Sequence, residues 1–477
     1  MGRADVAEDD GRLVEACLAG DVEARARLRA RHGPLVHLAA ARAVDDAASA
    51  AAPLPIAPVL DTVWARLLER RELQGWAGTS LLGTYLAVRS RRIARAEASE
   101  LTAPRAGRTV PEADTRDLDD PTDDVLRALE RVPPPASALV RLRFRGLSRH
   151  DIAATLGMSQ AAVGGTLDRV ADRLKKADDL ELESAALWRA LLDASSVAER
   201  VDIALATELD PEWRRQRAVV ERVWRRAADA LLAQPTATGE QCLDDAAVAG
   251  LVDGSIRGKA RARAEGHLAA CPRCIDLVAS LILDLKAQPT LRDGAEAGPW
   301  VRIGAAAVAT GRFGLAERLL TTATELGEGP REALADLRRL AQAGTYLDGA
   351  GPADDQTSQV IPTPRPSPGE APVVAFEALV LNDPRSAWLA VDDSTARGSL
   401  GARLRLLAAA AGQDLETGRL LAQEALRSTG TFDPGWIDDA EAVLTLPRGR
   451  ALPREVLHHH LRALVHTAVR HVLTRAD

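Results

Sequence analysis

Aromatic residues are scarce in this 477-residue chain: four Phe, two Tyr and eight Trp make up 3% of it. Strands draw heavily on aromatic and β-branched side chains, so a β-sandwich or barrel fits poorly. Only four cysteines are present, too few for a disulfide framework in so long a chain. No run reaches the roughly 18 apolar residues of a membrane span. The stretch Met1–Arg12 is acidic and has no apolar signal core. A net basic charge is missing too: 61 Lys and Arg stand against 68 Asp and Glu, a formal −7. That excludes a uniformly basic nucleic-acid coat and leaves local patches open. There is no Walker-A loop, dinucleotide fingerprint or nucleophile elbow, and no pair of carboxylates that helix faces force together, so the chain reads as a non-enzyme. Ala, Leu and Arg are abundant, and all three are helix formers. The expectation is an all-α, cytoplasmic protein of about three or four domains, at roughly 100–200 residues each.

Periodicity divides the chain further. Over 11–105, Leu13, Cys17 and Leu18, then Ala24, Leu28, Leu35 and Leu38, recur near helical spacing. Gly20–Asp21 reads as a stop followed by an N-cap, and 47–58 as an Ala/Pro-rich loop. Asp61 reads as the cap of a helix with Val63, Trp64, Leu67 and Leu68 inward. Thr79–Ser80 reads as the cap of another, carrying Tyr85 and Leu86 and then Arg89, Arg91, Arg92 and Arg95. A flexible acidic linker covers 106–122; over 109–130, eight acidic side chains oppose two basic ones. A compact block at 123–177 and a helical connector at 178–236 lead to a cysteine module at 237–290. A helical hairpin at 295–345, a Pro-rich disordered linker at 346–372 and a helical domain at 373–477 complete the chain.

The block at 123–177 holds a helix-turn-helix pattern. Ser148 is a natural N-cap for a short helix with Ile152, Ala153 and Leu156. Gly157 supplies a tight turn, and Ser159 caps a second helix whose inner face is Val163, Leu167, Val170 and Leu174. In this pattern the second helix enters the major groove. Over 141–176, eight bases (Arg141, Arg143, Arg145, Arg149, Arg169, Arg173, Lys175, Lys176) face three acids (Asp151, Asp168, Asp172). Such a patch can neutralise phosphates. The alternative is a three-helix packing module with no DNA role.

Cys242, His267, Cys271 and Cys274 form the spacing Cys-x24-His-x3-Cys-x2-Cys. His267 and Cys271 lie one helical turn apart. Pro272 suits the start of the next helix, which puts Cys274 in a first turn, where the dipole favours a thiolate. Three thiolates and one imidazole make a closed tetrahedral site suited to one structural Zn²⁺ per chain. Ordinary buried cysteines beside a surface histidine are the alternative, and a zinc site that switches on oxidation lies between the two. Elsewhere, Cys17 reads as core, His458–His459–His460 as a partly solvated helix face, and Trp64, Trp76 and Trp300 as helix anchors. Trp76 also has scope to stack on an unpaired base.

The helix-turn-helix residues Leu147–Ser148, Asp151–Ile152–Ala153, Leu156–Gly157–Met158–Ser159 and Val163 resemble the fourth-region domain of extracytoplasmic-function sigma factors. Upstream, Leu13–Asp21 resembles the opening helix of that family's second-region domain. Asp61–Leu68 is similar to the helix that docks on the polymerase clamp. Gly78–Leu86 with Arg89–Arg95 is similar to the segment that opens and reads the promoter minus-ten element. The resemblance covers about 11–176 and implies two partners, core RNA polymerase and promoter DNA. It assigns polymerase contacts to Asp61, Trp64, Arg66 and Leu67. It assigns DNA contacts to Trp76, Thr79, Ser80, Arg89, Arg91, Arg92 and Arg95 in the first block, and to Arg149, Ser159, Gln160, Ala161, Gly164, Gly165, Thr166, Arg169 and Arg173 in the second. The cysteine module, through Cys242–Asp245, Val252–Gly254, Ala262–Leu268 and Cys271–Cys274, resembles the zinc-binding anti-sigma fold, with Cys242 where that family often has histidine. It implies an inhibitory partner fused in cis, in intramolecular contact with the sigma-like domains, where even weak affinity is effective.

Some positions depart from the pattern. Gly164 and Gly165 stand inside the second helix, where each costs about 1 kcal/mol relative to Ala. Asp168 and Asp172 repel phosphates if they face a duplex. A degenerate sigma-like scaffold, acting through protein contacts without promoter recognition, therefore stays open. An enzyme with its site in 290–477 is a third reading, and nothing in that stretch nominates a site.

Overall fold

A computed structural model describes residues 3–47, 56–102, 127–129, 131–177, 187–189, 192, 197–233, 242–287, 298–347, 366–367, 369–391, 399–412, 414–427 and 434–475. The linker expected at 106–122 lies outside these residues, as does most of that at 346–372. Among the described residues the regular structure is all-α, without strands, and no helix is long and apolar enough to cross a membrane. The chain divides into two compact units: Met1–Ala194 with Arg215–Lys286, and Ser195–Arg214 with Ala287–Asp477.

In the first unit, one lobe is built from α1 (Arg3–Leu18), α2 (Val22–Ala47), α3 (Ile56–Leu67), α4 (Arg70–Gln74) and α5 (Leu82–Thr102). Gly20, at φ +92°, ends α1. Asp21 starts α2 by accepting the amides of Glu23 (2.8 Å) and Ala24 (3.1 Å). α2 and α5 pack along each other more extensively than any other described pair, burying Leu28, Val36 and Leu38 against Leu82, Leu86 and Val88. Two expected caps are corrected. Asp61 lies within α3, which begins at Ile56 and carries Pro58 in its first turn, where the missing N–H removes no helical bond. Thr79–Ser80 does not cap α5. The Leu81 amide at its start donates instead to the carboxylate of Asp253 (2.7 Å), 172 residues further on, and an acid there also complements the helix dipole.

A second lobe follows: α6 (Pro134–Phe144), α7 (Arg149–Leu156) and α8 (Gln160–Ala177). Ser148 and Asp151 form a capping box on α7, and Gly157 turns the chain at φ 63°, ψ 27°. Ser159 Oγ accepts the Ala162 amide at 3.1 Å. Ile152, Ala153, Val163, Leu167, Val170 and Leu174 are all buried and Leu156 is half-buried, so the expected inner faces meet. Next come α9 (Val197–Leu209) and α10 (Pro211–Ala233). The division between units falls inside α10, so the span 178–236 is shared rather than forming one connector. Trp224 of α10 lies on Phe144 (ring centroids 4.1 Å) and near Trp188 (6.1 Å).

The cysteine module is a trio of helices, α11 (Asp245–Val252), α12 (Gly258–Ala270) and α13 (Pro272–Lys286). α11 packs on α5, α12 on α6, and α13 on α2, α5 and α6. None of α1–α5 packs extensively on α6–α8, so the module lies between the lobes. Its deepest contact is an ion pair. Arg42 of α2 meets Asp284 of α13 at 2.6 Å, with side chains 1% and 0% exposed, and Arg91 stands 3.8 Å from the same carboxylate.

The second unit contains α9 and α14 (Pro299–Ala309), α15 (Phe313–Glu325), α16 (Arg331–Leu347), α17 (Ala371–Val380), α18 (Pro384–Ala390), α19 (Ser399–Ala411), α20 (Leu415–Arg427), α21 (Pro434–Thr445) and α22 (Arg454–Arg475). From α14 to α21 each helix packs on the next, and α22 runs against α14, α16, α17 and α19. The helix α17 begins inside the span expected as linker. Asp439, fully buried, pairs with Arg403 (2.6 Å) and with His460 Nδ1 (2.6 Å). His460 is therefore interior while His459 is exposed, which corrects the solvated-face expectation. A charged partner is what makes burial of such a ring tolerable.

Removing one side of the deep pair should be severe. Asp284→Ala is expected to cost about 3–5 kcal/mol in urea unfolding of the first unit, and Arg42→Met with Asp284→Leu to recover most of it. In the second unit, Gly344→Ala sets a helix-propensity gain of up to about 1 kcal/mol against overlap of the new methyl with the Phe313 ring. Overpacking of this kind costs about 1–3 kcal/mol, so a net loss of stability is expected by thermal denaturation.

Candidate metal centre and the lobes around it

Cys242 precedes α11, which Asp244 caps by accepting the Ala247 amide at 2.7 Å. Cys271 ends α12 in an extended conformation, φ −114°, ψ 100°. Pro272 then opens α13, placing Cys274 in its first turn. The three sulfur atoms lie within 4.8 Å of one another, Cys242 exposed and the other two buried, and the group can hold a metal ion. The four-ligand expectation is met only in part. His267 lies outside this set, although its carbonyl accepts the Cys271 amide at 2.9 Å and its Nε2 is enclosed. Equal facing of residues i and i+4 assumes a continuing helix, and Cys271 has already left it.

Burial pushes the Cys274 thiol up to about 12. A hydrogen bond with the Leu243 backbone works the other way, and Cys271 and Cys242 add to the rise. The expected dipole effect is therefore outweighed by desolvation: without an ion, Cys274 stays protonated at neutral pH.

Three of the first lobe's four candidate DNA-binding arginines are engaged by the module. Arg89 pairs with Glu72 and with Asp245 at 2.7 Å. Arg92 reaches Asp245 at 2.8 Å and the Leu243 carbonyl at 2.6 Å. Arg91 is buried between Asp46 and Asp284, and of the four arginines only Arg95 is exposed. Trp76 Nε1 donates to the Ser80 carbonyl at 2.9 Å; Thr79 is exposed and Ser80 buried. Among the candidate polymerase contacts, Asp61 and Arg66 are exposed, Arg66 pairing with Glu97 at 2.8 Å. Trp64 and Leu67 belong to the lobe's core, so neither presents a surface to a partner here. Trp64 Nε1 donates to His37 Nε2 at 2.7 Å. Burial first, then the Arg29 charge, depresses His37 to about 4, which leaves the ring neutral and able to accept.

On α8, Ser159, Gln160, Ala161, Arg169 and Arg173 are exposed, Gly165 and Thr166 partly so, and Gly164 is buried. The guanidinium of Arg149 lies over Gly164. Arg169 donates to Thr166 Oγ1 (2.9 Å), and Arg173 to the Arg131 carbonyl (3.2 Å). The second lobe is also tied to the module. Arg145 pairs with Asp276 (2.6 Å), Arg261 donates to the Thr155 carbonyl (2.8 Å), and Lys286 meets Asp151 at 2.5 Å. Burial alone would raise the Asp151 carboxyl, but hydrogen bonds from Lys286 and Ser148 overcome it and hold it below the usual carboxylate range. Asp245, Asp253, Arg261, Asp276 and Lys286 carry these contacts; Asp245 and Asp253 fall in runs that carry the anti-sigma resemblance, but nothing in the local sequence says which lobe residues they meet. No protein-family model, curated protein or solved structure matches the chain.

The purified protein should contain about one equivalent of metal per chain by elemental analysis, and Cys271→Ser with Cys274→Ser should lose it. Metal uptake in weakly buffered solution should release protons, one of them from Cys274. The lowered Asp151 carboxyl contributes stability that is fully present above about pH 3.9, the ordinary value, and is lost as the pH falls through its lower folded value. Below about pH 4, the melting temperature of Asp151→Asn should therefore fall less steeply with pH than that of the unaltered protein.

Proposed function

We propose that the protein is a sigma-factor-type transcription initiation factor whose own zinc-binding, anti-sigma-like module holds its two DNA- and polymerase-binding lobes closed. One observation carries the reading. Asp245 occupies Arg89 and Arg92, two arginines that the sequence resemblance assigns to promoter contact, while Asp276 and Lys286 of the same module engage the helix-turn-helix lobe. A guanidinium paired to a carboxylate is not free to neutralise a phosphate, so module and promoter compete for the same charges.

Zinc suits the centre. With Zn–S bonds of about 2.3 Å, tetrahedral ligand sulfurs stand about 3.8 Å apart, inside the 4.8 Å spread of the three thiols. His267, one turn before Cys271 with its Nε2 enclosed, is the fourth donor in this reading. A closed four-ligand site leaves no position for catalysis, and its role is to fix α11, α12 and α13 as one body.

A second reading, a sigma-like scaffold acting through protein contacts, is favoured by the burial of Trp64 and Leu67 and by Gly164 and Gly165 inside α8. Run-off transcription with core RNA polymerase separates the two. Asp245→Asn with Asp276→Asn should yield more promoter-dependent transcript than the unaltered chain. Absence of transcript from both, with no DNA shift even in the presence of polymerase, selects the scaffold.

A further inference from the structure

A cleft of about 520 Å³ opens beside the thiol cluster, within the first unit. Five pieces of chain wall it: Asp46 at the end of α2, Arg91, Arg92 and Arg95 of α5, Arg145 just after α6, Cys242 ahead of α11, and Arg273 with Cys274 on α13. Five guanidiniums converge there, against two carboxylates on the wall, Asp46 and Asp276. Asp46 is taken by Arg91 and Asp276 by Arg145. Arg92 finds its carboxylate in Asp245, outside the wall. Arg95 and Arg273 are exposed, and among the described residues neither is paired with a carboxylate. The cleft therefore carries uncompensated positive charge in a concavity of the size that holds small ligands.

We propose that this cleft binds a small ligand bearing a di- or triphosphate group, and that the ligand stabilises the closed arrangement of lobes and module. Guanidinium forks match phosphate oxygens in bidentate geometry. The apolar wall is small, Ala96 and Leu277, and no aromatic ring offers a nucleobase a stacking face, so the phosphates are the recognised part. Because α5, α6 and α13 each supply arginines, the full set exists only while the three are together. A ligand that needs the full set favours that state by its differential affinity. The inference rests on the cleft and does not depend on the transcription reading.

Calorimetric titration of the full-length protein with inorganic pyrophosphate tests it, with metal content measured before and after. The expected result is saturable one-to-one binding that weakens as salt rises. Arg95→Gln with Arg273→Gln should lower affinity at least about tenfold by removing two charge-assisted contacts, and Arg95→Lys with Arg273→Lys should restore part of it. Arg222→Gln with Arg225→Gln, on the exposed side of α10, should leave it unchanged. Lys286→Ala, which loosens α13 from the second lobe by removing its pair with Asp151 without touching the cleft wall, should also weaken binding. No saturable heat, or an equal loss in the α10 variant, overturns the site. Unchanged affinity in Lys286→Ala overturns the link to closure.

Discussion

The pairing of Arg42 with Asp284 sets the geometry on which the rest of the first unit depends. Two ions withdrawn from water lose several kcal/mol of hydration apiece, recovered only when they meet closely and are supported by other charges. Here Arg91 stands near the same carboxylate and is itself held by Asp46. An apolar face tolerates sliding, whereas a buried charge pair does not. α13 is consequently fixed at one depth and one rotation against α2 and α5. That register places Asp245 of α11 on Arg89 and Arg92 midway along α5, Asp253 just past α11 at the start of α5, and Asp276 and Lys286 of α13 within reach of the second lobe.

The contacts that follow from this register are mostly between acids of the module and bases or amide groups of the lobes: Asp245 with Arg89 and Arg92, Asp253 with the Leu81 amide, Asp276 with Arg145. Lys286 reverses the sense by joining Asp151 in the capping box of α7. The module thus sets fixed carboxylates against basic side chains and a helix-start amide of the lobes. Partly exposed pairs of this kind are individually weak. Their combination with the buried pair and the cysteine cluster makes one concerted interface rather than a set of independent attachments.

What could be read from residues alone followed the range of the interactions. Ser148, Gly157, Ser159 and the spacing of Val163, Leu167, Val170 and Leu174 act within a few residues, and the turn and its caps appear where local chemistry puts them. The clustering of Cys242 with Cys271 and Cys274 was legible because two of the three are separated by a single helical start. Tertiary partners decided the rest. Thr79–Ser80 has good capping chemistry, yet the start of α5 is served by Asp253 from far along the chain. His460 looks solvent-facing in its helix until Asp439 and Arg403 are brought beside it. Arg91 resembles any other arginine in its row, and only the fold shows that it lies inward. For Cys274 the competing effects were both visible in kind, helix dipole and burial, but their relative size depends on how much protein surrounds the sulfur.

The cysteine module and the lobes it holds are joined by peptide bonds. Holder and held are therefore translated in a ratio of one at every level of expression, and no change in gene dosage can leave one in excess. Dilution cannot separate them either, because the local concentration of one about the other is set by the connecting chain. On the proposed reading, release comes from something that alters the joint itself, such as a competing macromolecule, a change at the thiols, or a cut in the backbone, and the response per molecule is the same whether the cell makes few copies or many.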